Sequence, residues 1–175
     1  KLKYLIIDVD GTMTDGGIFY DEFGNEIKKF NTKDAAGFFV CKKLGIKTVV
    51  ITGRECKATE KRMNEMNIDY LFQGINDKVV FLKDFIEKNN IKKDELGYIG
   101  DDLNDYQSMK LAGYIACPSD ACFEVKQIAD YISYLKGGDG VIRDVVEHIF
   151  RNSGKWESAV NCLLYTSPSQ RDTER

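Results

Sequence analysis

Short apolar runs alternate along the chain with stretches of helical periodicity. Residues 3–8, Lys-Tyr-Leu-Ile-Ile-Asp, form a near-continuous apolar run of the kind seen in strands buried on both faces. Similar runs recur at 47–52, 70–72, 97–100, 114–117 and 131–133. Between them, apolar residues fall at helical spacing over about 34–44, 55–66, 77–89, 103–111 and 121–127, and a last helix is predicted over about 139–151. This alternation predicts an α/β protein with a parallel sheet, right-handed crossovers and helices on both faces. One segment breaks the rhythm. Residues 17–20 and 26–30 read as two short strands joined by Asp21-Glu22-Phe23-Gly24-Asn25, a hairpin projecting over the carboxyl end of the first strand.

The expected fold is therefore a Rossmann-like sheet with a β-hairpin after strand 1 and no insertion long enough for a cap domain. The 175 residues suit one domain, placed at 1–152. Periodicity fades after Trp156, so residues 153–175 are expected to form a disordered, partly non-native tail. The chain starts at Lys1 without an initiating Met, as expected of a trimmed start, and its first apolar run reads as a strand and not as a signal peptide. A net charge of −3 argues against a nucleic-acid binder. No apolar run approaches the ~20 residues of a membrane span. The five cysteines form no C-x-x-C pair and read as free thiols in a reducing cytoplasm. The single histidine, His148, has no nucleophile motif beside it and reads as a packing or surface residue.

Ligands of open α/β sheets bind outside the carboxyl ends of the strands. Polar clusters fall at such ends: Asp8-Val-Asp10-Gly11, Thr52-Gly53-Arg54, Lys78 at a helix start, and Gly100-Asp101-Asp102-Leu-Asn104-Asp105. Together they suit phosphoryl transfer, which needs positioning and charge neutralisation of phosphoryl oxygens. Asp8 and Asp101 are natural ligands for a hard cation such as Mg²⁺. Thr52 can donate a hydrogen bond to a phosphoryl oxygen, and Lys78 supplies a compact positive charge. Asp8 can attack phosphorus, and Asp10 is placed to act as acid and then as base. Each cluster alone has a plainer explanation: an Asp-x-Asp turn, a Thr-Gly turn, an exposed lysine, an aspartate capping the helix at 103. Their joint occurrence, each after a strand, is what points to a site.

The set Asp8-Val-Asp10-Gly11-Thr12, Ile51-Thr52-Gly53, Lys78 and Gly100-Asp101-Asp102-x-x-Asp105 resembles the motifs of haloacid-dehalogenase-like phosphatases over roughly Lys3 to Arg151. More narrowly the chain is similar to the capless branch acting on phosphorylated 2-keto-3-deoxy sugar acids. It carries Thr14-Asp15-Gly16-Gly17, Gly24-Asn25-Glu26, Phe30-Asn31-Thr32-Lys33-Asp34, Gln73-Gly74 and Gly137-Gly138-x-Gly140-x-x-Arg143. The resemblance implies Asp8 as nucleophile and Mg²⁺ ligand, Asp10 as acid/base and ligand through its carbonyl, and Asp101 as the third ligand. It implies Thr52, Gly53 and Lys78 on the phosphate, and Asn31, Thr32, Lys33, Asp34, Arg54 and Arg62 on the sugar-acid side. For Arg62 an ordinary helix-surface pairing with Glu60 or Glu65 is the competing explanation. The implied substrate is 3-deoxy-manno-octulosonate 8-phosphate, with a place in lipopolysaccharide biosynthesis, or else a nonulosonate 9-phosphate. Phe39 departs from the basic residue of the octulosonate enzymes, whereas Arg54 follows them. The resemblance further implies a homotetramer in which a neighbour's hairpin or tail closes the site.

Two other classes compete. A signalling receiver domain also combines Asp, Mg²⁺, Thr and Lys on a parallel sheet, but its acceptor lies on a middle strand, away from its acidic pair. A catalytically silent oligomerisation module has no physical need for the whole set of polar groups.

Overall fold

The computed structural model describes residues 1–165. Its main sheet comprises β1 (Tyr4–Ile7), β4 (Lys47–Ile51), β5 (Tyr70–Phe72), β6 (Leu96–Ile99), β7 (Tyr114–Cys117) and β8 (Tyr131–Ile132). All neighbours pair in parallel, in the order β5-β4-β1-β6-β7-β8. A separate antiparallel pair, β2 (Phe19–Tyr20) and β3 (Glu26–Ile27), forms the expected hairpin. The helices are α1 (Asp34–Lys43), α2 (Lys57–Glu65), α3 (Lys78–Lys88), α4 (Leu103–Met109), α5 (Phe123–Ile128), α6 (Val141–Asn152) and α7 (Trp156–Tyr165).

Strand alternation divides the core between the two faces of the sheet. Leu5, Ile7, Val50 and Ile99 pack with α1, α6 and Met63 of α2. Ile6, Val49, Ile51 and Tyr98 pack with α3, α4 and α5. The order of pairing reverses direction at β1, whose neighbours β4 and β6 lead away to opposite edges. A crevice therefore opens at the carboxyl ends of β1, β4 and β6, where connecting loops diverge. Among the described residues no inserted domain covers it, and no helix is long and apolar enough to cross a membrane.

The expected loss of order after residue 152 is corrected. Trp156–Tyr165 forms α7, whose Trp156 and Ala159 are buried against the core of α1 and α6. Trp156 is 3% exposed, and the guanidinium groups of Arg143 and Arg151 lie 5.0 and 5.6 Å from its ring centroid. One buried aromatic anchors a helix too short to be stable alone. The rest of the expected tail, 166–175, lies outside the described residues.

Asp34 joins α1 to α6. Its Oδ1 accepts from the backbone N–H of Arg143 in the first turn of α6 at 3.2 Å, while Oδ2 is buried without a hydrogen-bond partner. Burial raises this carboxyl from the ordinary 3.8 to about 6, against the opposing pull of the Arg143 N–H and of Arg62.

Trp156→Ala is expected to lower the unfolding free energy by about 3–5 kcal/mol, read from the urea midpoint. Because folding raises the Asp34 pKa, its contribution is fully present below pH ~4 and is lost as pH rises through ~6, a span of about 3 kcal/mol. Asp34→Asn should therefore flatten the fall in stability between those pH values, which urea titrations at stepped pH will show.

Candidate active site

The carboxyl end of β1 delivers Asp8, which is 3% exposed. A tight turn follows, in which the N–H groups of Thr12, Met13 and Thr14 all donate to the carbonyl of Val9. Gly11 sits in it at φ +90°, and a Cβ there would lie 2.0 Å from Asp101 Oδ2. Only glycine lets the loop after β1 approach the loop after β6 so closely. Gly137 seals the other side, since a Cβ on it would meet the Gly11 carbonyl oxygen at 2.0 Å.

Lys78 opens α3, whose N-terminus is capped by Asp77 through hydrogen bonds from Val79 and Val80 N–H. Its Nζ donates to Asp8 Oδ1 at 2.6 Å and to Asp105 Oδ1 at 2.7 Å. Burial works against the ammonium, yet Asp8 and Asp105 together outweigh it and hold Lys78 above the ordinary lysine value. Asp105 lies in the first turn of α4 and is fully buried. Tyr98 donates to its Oδ1 at 2.9 Å, and the Asp101 N–H donates to its Oδ2 at 3.3 Å. The plain capping explanation of the acidic run holds for one member, as Asp102 accepts from Leu103 N–H at 2.8 Å.

Carboxylate oxygens of Asp8, Asp101 and Asp105 lie within 4.8 Å of one another. Asp105 has both oxygens engaged, which leaves Asp8 and Asp101 as the available donors. Burial first, and Asp105 second, push Asp8 well above the ordinary carboxylate value and bring Asp101 up to about 6. A hard divalent cation fits this arrangement, because it relieves the crowding of two acids that solvent does not screen. Thr12 Oγ1 donates to Asp101 Oδ1 at 3.0 Å and fixes the orientation of that carboxylate.

The cleft encloses about 430 Å³ and is lined by Asp8, Asp10, Gly11, Thr52, Gly53, Arg54 and Asp101, with Asp15, Gly16, Asp102, Asn104 and Asp120 at its walls. Thr52 donates to Asp10 Oδ2 at 3.3 Å. Arg54 donates through Nε to Glu26 Oε1 at 2.9 Å and through a terminal nitrogen to the Tyr20 hydroxyl at 3.2 Å. The structure thus brings Asp8, Asp10, Thr52, Gly53, Lys78, Asp101 and Arg54 together.

The other residues assigned to the sugar-acid side lie outside the cleft lining. Asn31 donates to the Gly138 carbonyl, Thr32 and Lys33 are exposed, and Asp34 is turned to α6. Arg62 donates to the Asn31 carbonyl at 3.3 Å and pairs with Glu65 at 3.4 Å, its competing explanation. His148 stacks on Tyr131 with ring centroids 3.7 Å apart, a packing role as expected. Two members were not assigned roles from the sequence. Asp105 stood inside a quoted motif, and its place four residues after Asp101 was the available signal. Lys28, paired with Asp10 in the structure, shares a strand face with Glu26, but nothing local separates it from Lys29 or Lys33.

A family model of haloacid dehalogenase-like hydrolases matches residues 71–144. The 3-deoxy-D-manno-octulosonate 8-phosphate phosphatase KdsC of Salmonella typhi is 34% identical over 91% of this chain and 85% of its own length. The phosphatase of that name from Yersinia pestis is 35% identical over 94% of this chain and 88% of its own. Among solved structures, 3-deoxy-D-manno-octulosonate 8-phosphate phosphatase from Moraxella catarrhalis, in complex with magnesium ion, phosphate ion and KDO, superposes with a TM-score of 0.87 at 32% identity, covering 93% of each chain. The cobalt-bound enzyme from Haemophilus influenzae gives 0.83 at 30% identity, covering 89% of this chain and 91% of that one.

Lys78→Met leaves buried carboxylates without their cation and is expected to cost about 3–5 kcal/mol of stability at pH 7.5. The loss should shrink on acidification as those carboxyls take up protons, an outcome read from thermal midpoints across pH.

Proposed function

The chain belongs to the haloacid dehalogenase-like hydrolases, and on that premise we propose that it hydrolyses 3-deoxy-D-manno-octulosonate 8-phosphate, or a closely similar phosphorylated 2-keto-3-deoxy sugar acid, in a Mg²⁺-dependent reaction. The observation that carries this reading is Asp8: a buried carboxylate at the switch point of the sheet, bonded to the Lys78 ammonium and lining a cleft beside Asp10, Thr52 and Asp101. Relatives named for that phosphatase activity align with 91% and 94% of the chain, so the likeness spans the site and its frame.

In the proposed reaction an Asp8 oxygen attacks phosphorus. The bond from phosphorus to the sugar oxygen breaks, and Asp10 gives its proton to that oxygen. Water then attacks phosphorus and yields a proton to Asp10, the bond to Asp8 breaks, and phosphate leaves. Thr52, the Gly53 backbone and Lys78 hold the phosphoryl oxygens between the two steps. Asp8, Asp101 and the Asp10 carbonyl would hold Mg²⁺, which supplies charge neutralisation at those oxygens. Arg54 is the residue of the cleft suited to a substrate carboxylate, since a guanidinium binds carboxylates in bidentate fashion. Asn31, Thr32, Lys33, Asp34 and Arg62 act on the sugar side through the shape of the loop they hold.

We also assign a homotetramer. Phe19, Tyr20, Phe23 and Ile27 of the hairpin are 66%, 60%, 81% and 52% exposed, an apolar surface suited to a neighbouring subunit. A reducing cytoplasm suits its five free thiols.

Phosphate release from octulosonate 8-phosphate in Mg²⁺ is expected to exceed that from an aryl phosphate and from nonulosonate 9-phosphates. Asp8→Asn should abolish it, and a chelator should stop it until Mg²⁺ is restored in excess; full activity in Asp8→Asn, or no turnover of any ester, would overturn the mechanism. Gel filtration should return a tetramer, and a monomeric active enzyme would remove the neighbour contact.

A further inference from the structure

The hairpin carries a lysine that phosphate chemistry does not require. Glu26 and Lys28 lie two residues apart and face the same way, while Ile27 between them points outward. The Lys28 side chain is 1% exposed. Its Nζ pairs with Asp10 Oδ1 and lies 3.4 Å from Glu26 Oε2. The other Glu26 oxygen takes the Arg54 Nε–H at 2.9 Å, and the other Asp10 oxygen takes the Thr52 hydroxyl at 3.3 Å. A continuous chain of charges thus runs from Arg54 through Glu26 and Lys28 to Asp10.

Asp10 stands on a loop and must present one oxygen to the leaving group and later to water. Two side chains hold it, Lys28 and Thr52. The Thr52 hydroxyl is required by a phosphoryl oxygen once substrate binds. Lys28 is then the remaining holder, and a protonated lysine donates without accepting, so it can fix a carboxylate without competing for the transferred proton. Placement matters at this scale, because a misplacement of about 1 Å can cost about 10²-fold in rate.

We propose that Lys28 is a positioning residue for Asp10, and that the β2–β3 hairpin delivers it, so that docking of the hairpin completes the acid/base group. The assignment rests on the acid/base role given to Asp10 above.

Leaving-group dependence in the first turnover tests it. A sugar alkoxide needs a proton from Asp10 as it departs, whereas an activated aryl oxide does not. Lys28→Met is expected to slow first-turnover cleavage of the sugar-acid phosphate by ~10²-fold and that of a dinitrophenyl phosphate by less than about threefold. It should also slow phosphoenzyme hydrolysis, with KM changed by less than about threefold, and Lys28→Arg should recover most of the rate. Where Lys28→Met does not fold, Lys28→Gln is read the same way. Equal slowing of both esters, an effect on KM alone, or no recovery in Lys28→Arg would overturn the proposal. Asp10→Asn is measured alongside. A leaving-group bias in Asp10→Asn that is missing in the Lys28 variants sinks the Lys28 role alone. No bias in Asp10→Asn removes the acid/base role and this proposal with it.

Discussion

The Lys78 ammonium between Asp8 and Asp105 is the contact on which the rest of the centre depends. Oxygens of three carboxylates lie within 4.8 Å of one another, two of the residues buried and Asp101 partly so. Burial and Asp105 raise the Asp8 carboxyl, and Lys78 is what opposes them, so without that cation the ionised form of Asp8 loses its main support. Lys78 supplies that cation, and Asp8 and Asp101 would hold a metal that supplies a second positive charge. The groups come from the end of β1, the start of α3 and the first turn of α4, so the arrangement exists only when the sheet has closed its order. A buried pair of this kind contributes uniqueness of structure and chemistry more than net stability.

The same economy of space governs the loop beside it. Gly137, after β8, lies against the backbone of Gly11 and Thr14, and Gly11 in turn leaves room for the Asp101 carboxylate of the loop after β6. Gly138 donates its N–H to the Thr12 carbonyl and accepts from Asn31 through its own. The segment before α1, the turn after β1 and the approach to α6 are therefore tied together through Gly138. Under the proposed function, this link is the route by which Asn31 would act on substrate while standing outside the cleft.

The sheet and most of the helices could be read from the sequence because buried parallel strands and amphipathic helices write their periods into it. The runs at 70–72 and 114–117 match β5 and β7 at both ends. α7 escaped although Trp156, Ala159, Val160 and Leu163 stand at helical spacing and are buried or half-buried; a stripe of four residues beside a polar stretch of sequence is a short signal. Asp8, Asp10, Thr52, Lys78 and Asp101 were legible because each sits at a strand's end or a helix's start, where chemistry is expected. Asp34 shows the limit. A carboxylate beside a candidate site can face a ligand or the N–H groups of another helix, and it faced α6. Lys28 shows it from the other side, since its partner Asp10 is 18 residues away and only the folded hairpin reveals the pair.

The cleft is acidic on its surface, which is at first sight the wrong sign for a phosphorylated acid. Its lining contains Asp8, Asp10, Asp15, Asp101, Asp102 and Asp120 against Arg54 as the one cation. The compensating charges are set beneath the lining, with the Lys28 and Lys78 side chains 1% and 3% exposed. A cation withdrawn from water acts through a medium of low dielectric and is worth more to a developing charge than the same cation in solvent. The two lysines are placed for different partners: Lys78 lies behind Asp8, where the proposed phosphoryl group would meet it, and Lys28 lies behind Asp10. An acidic lining backed by Lys78 suits an anion that meets Mg²⁺ there more than one that does not.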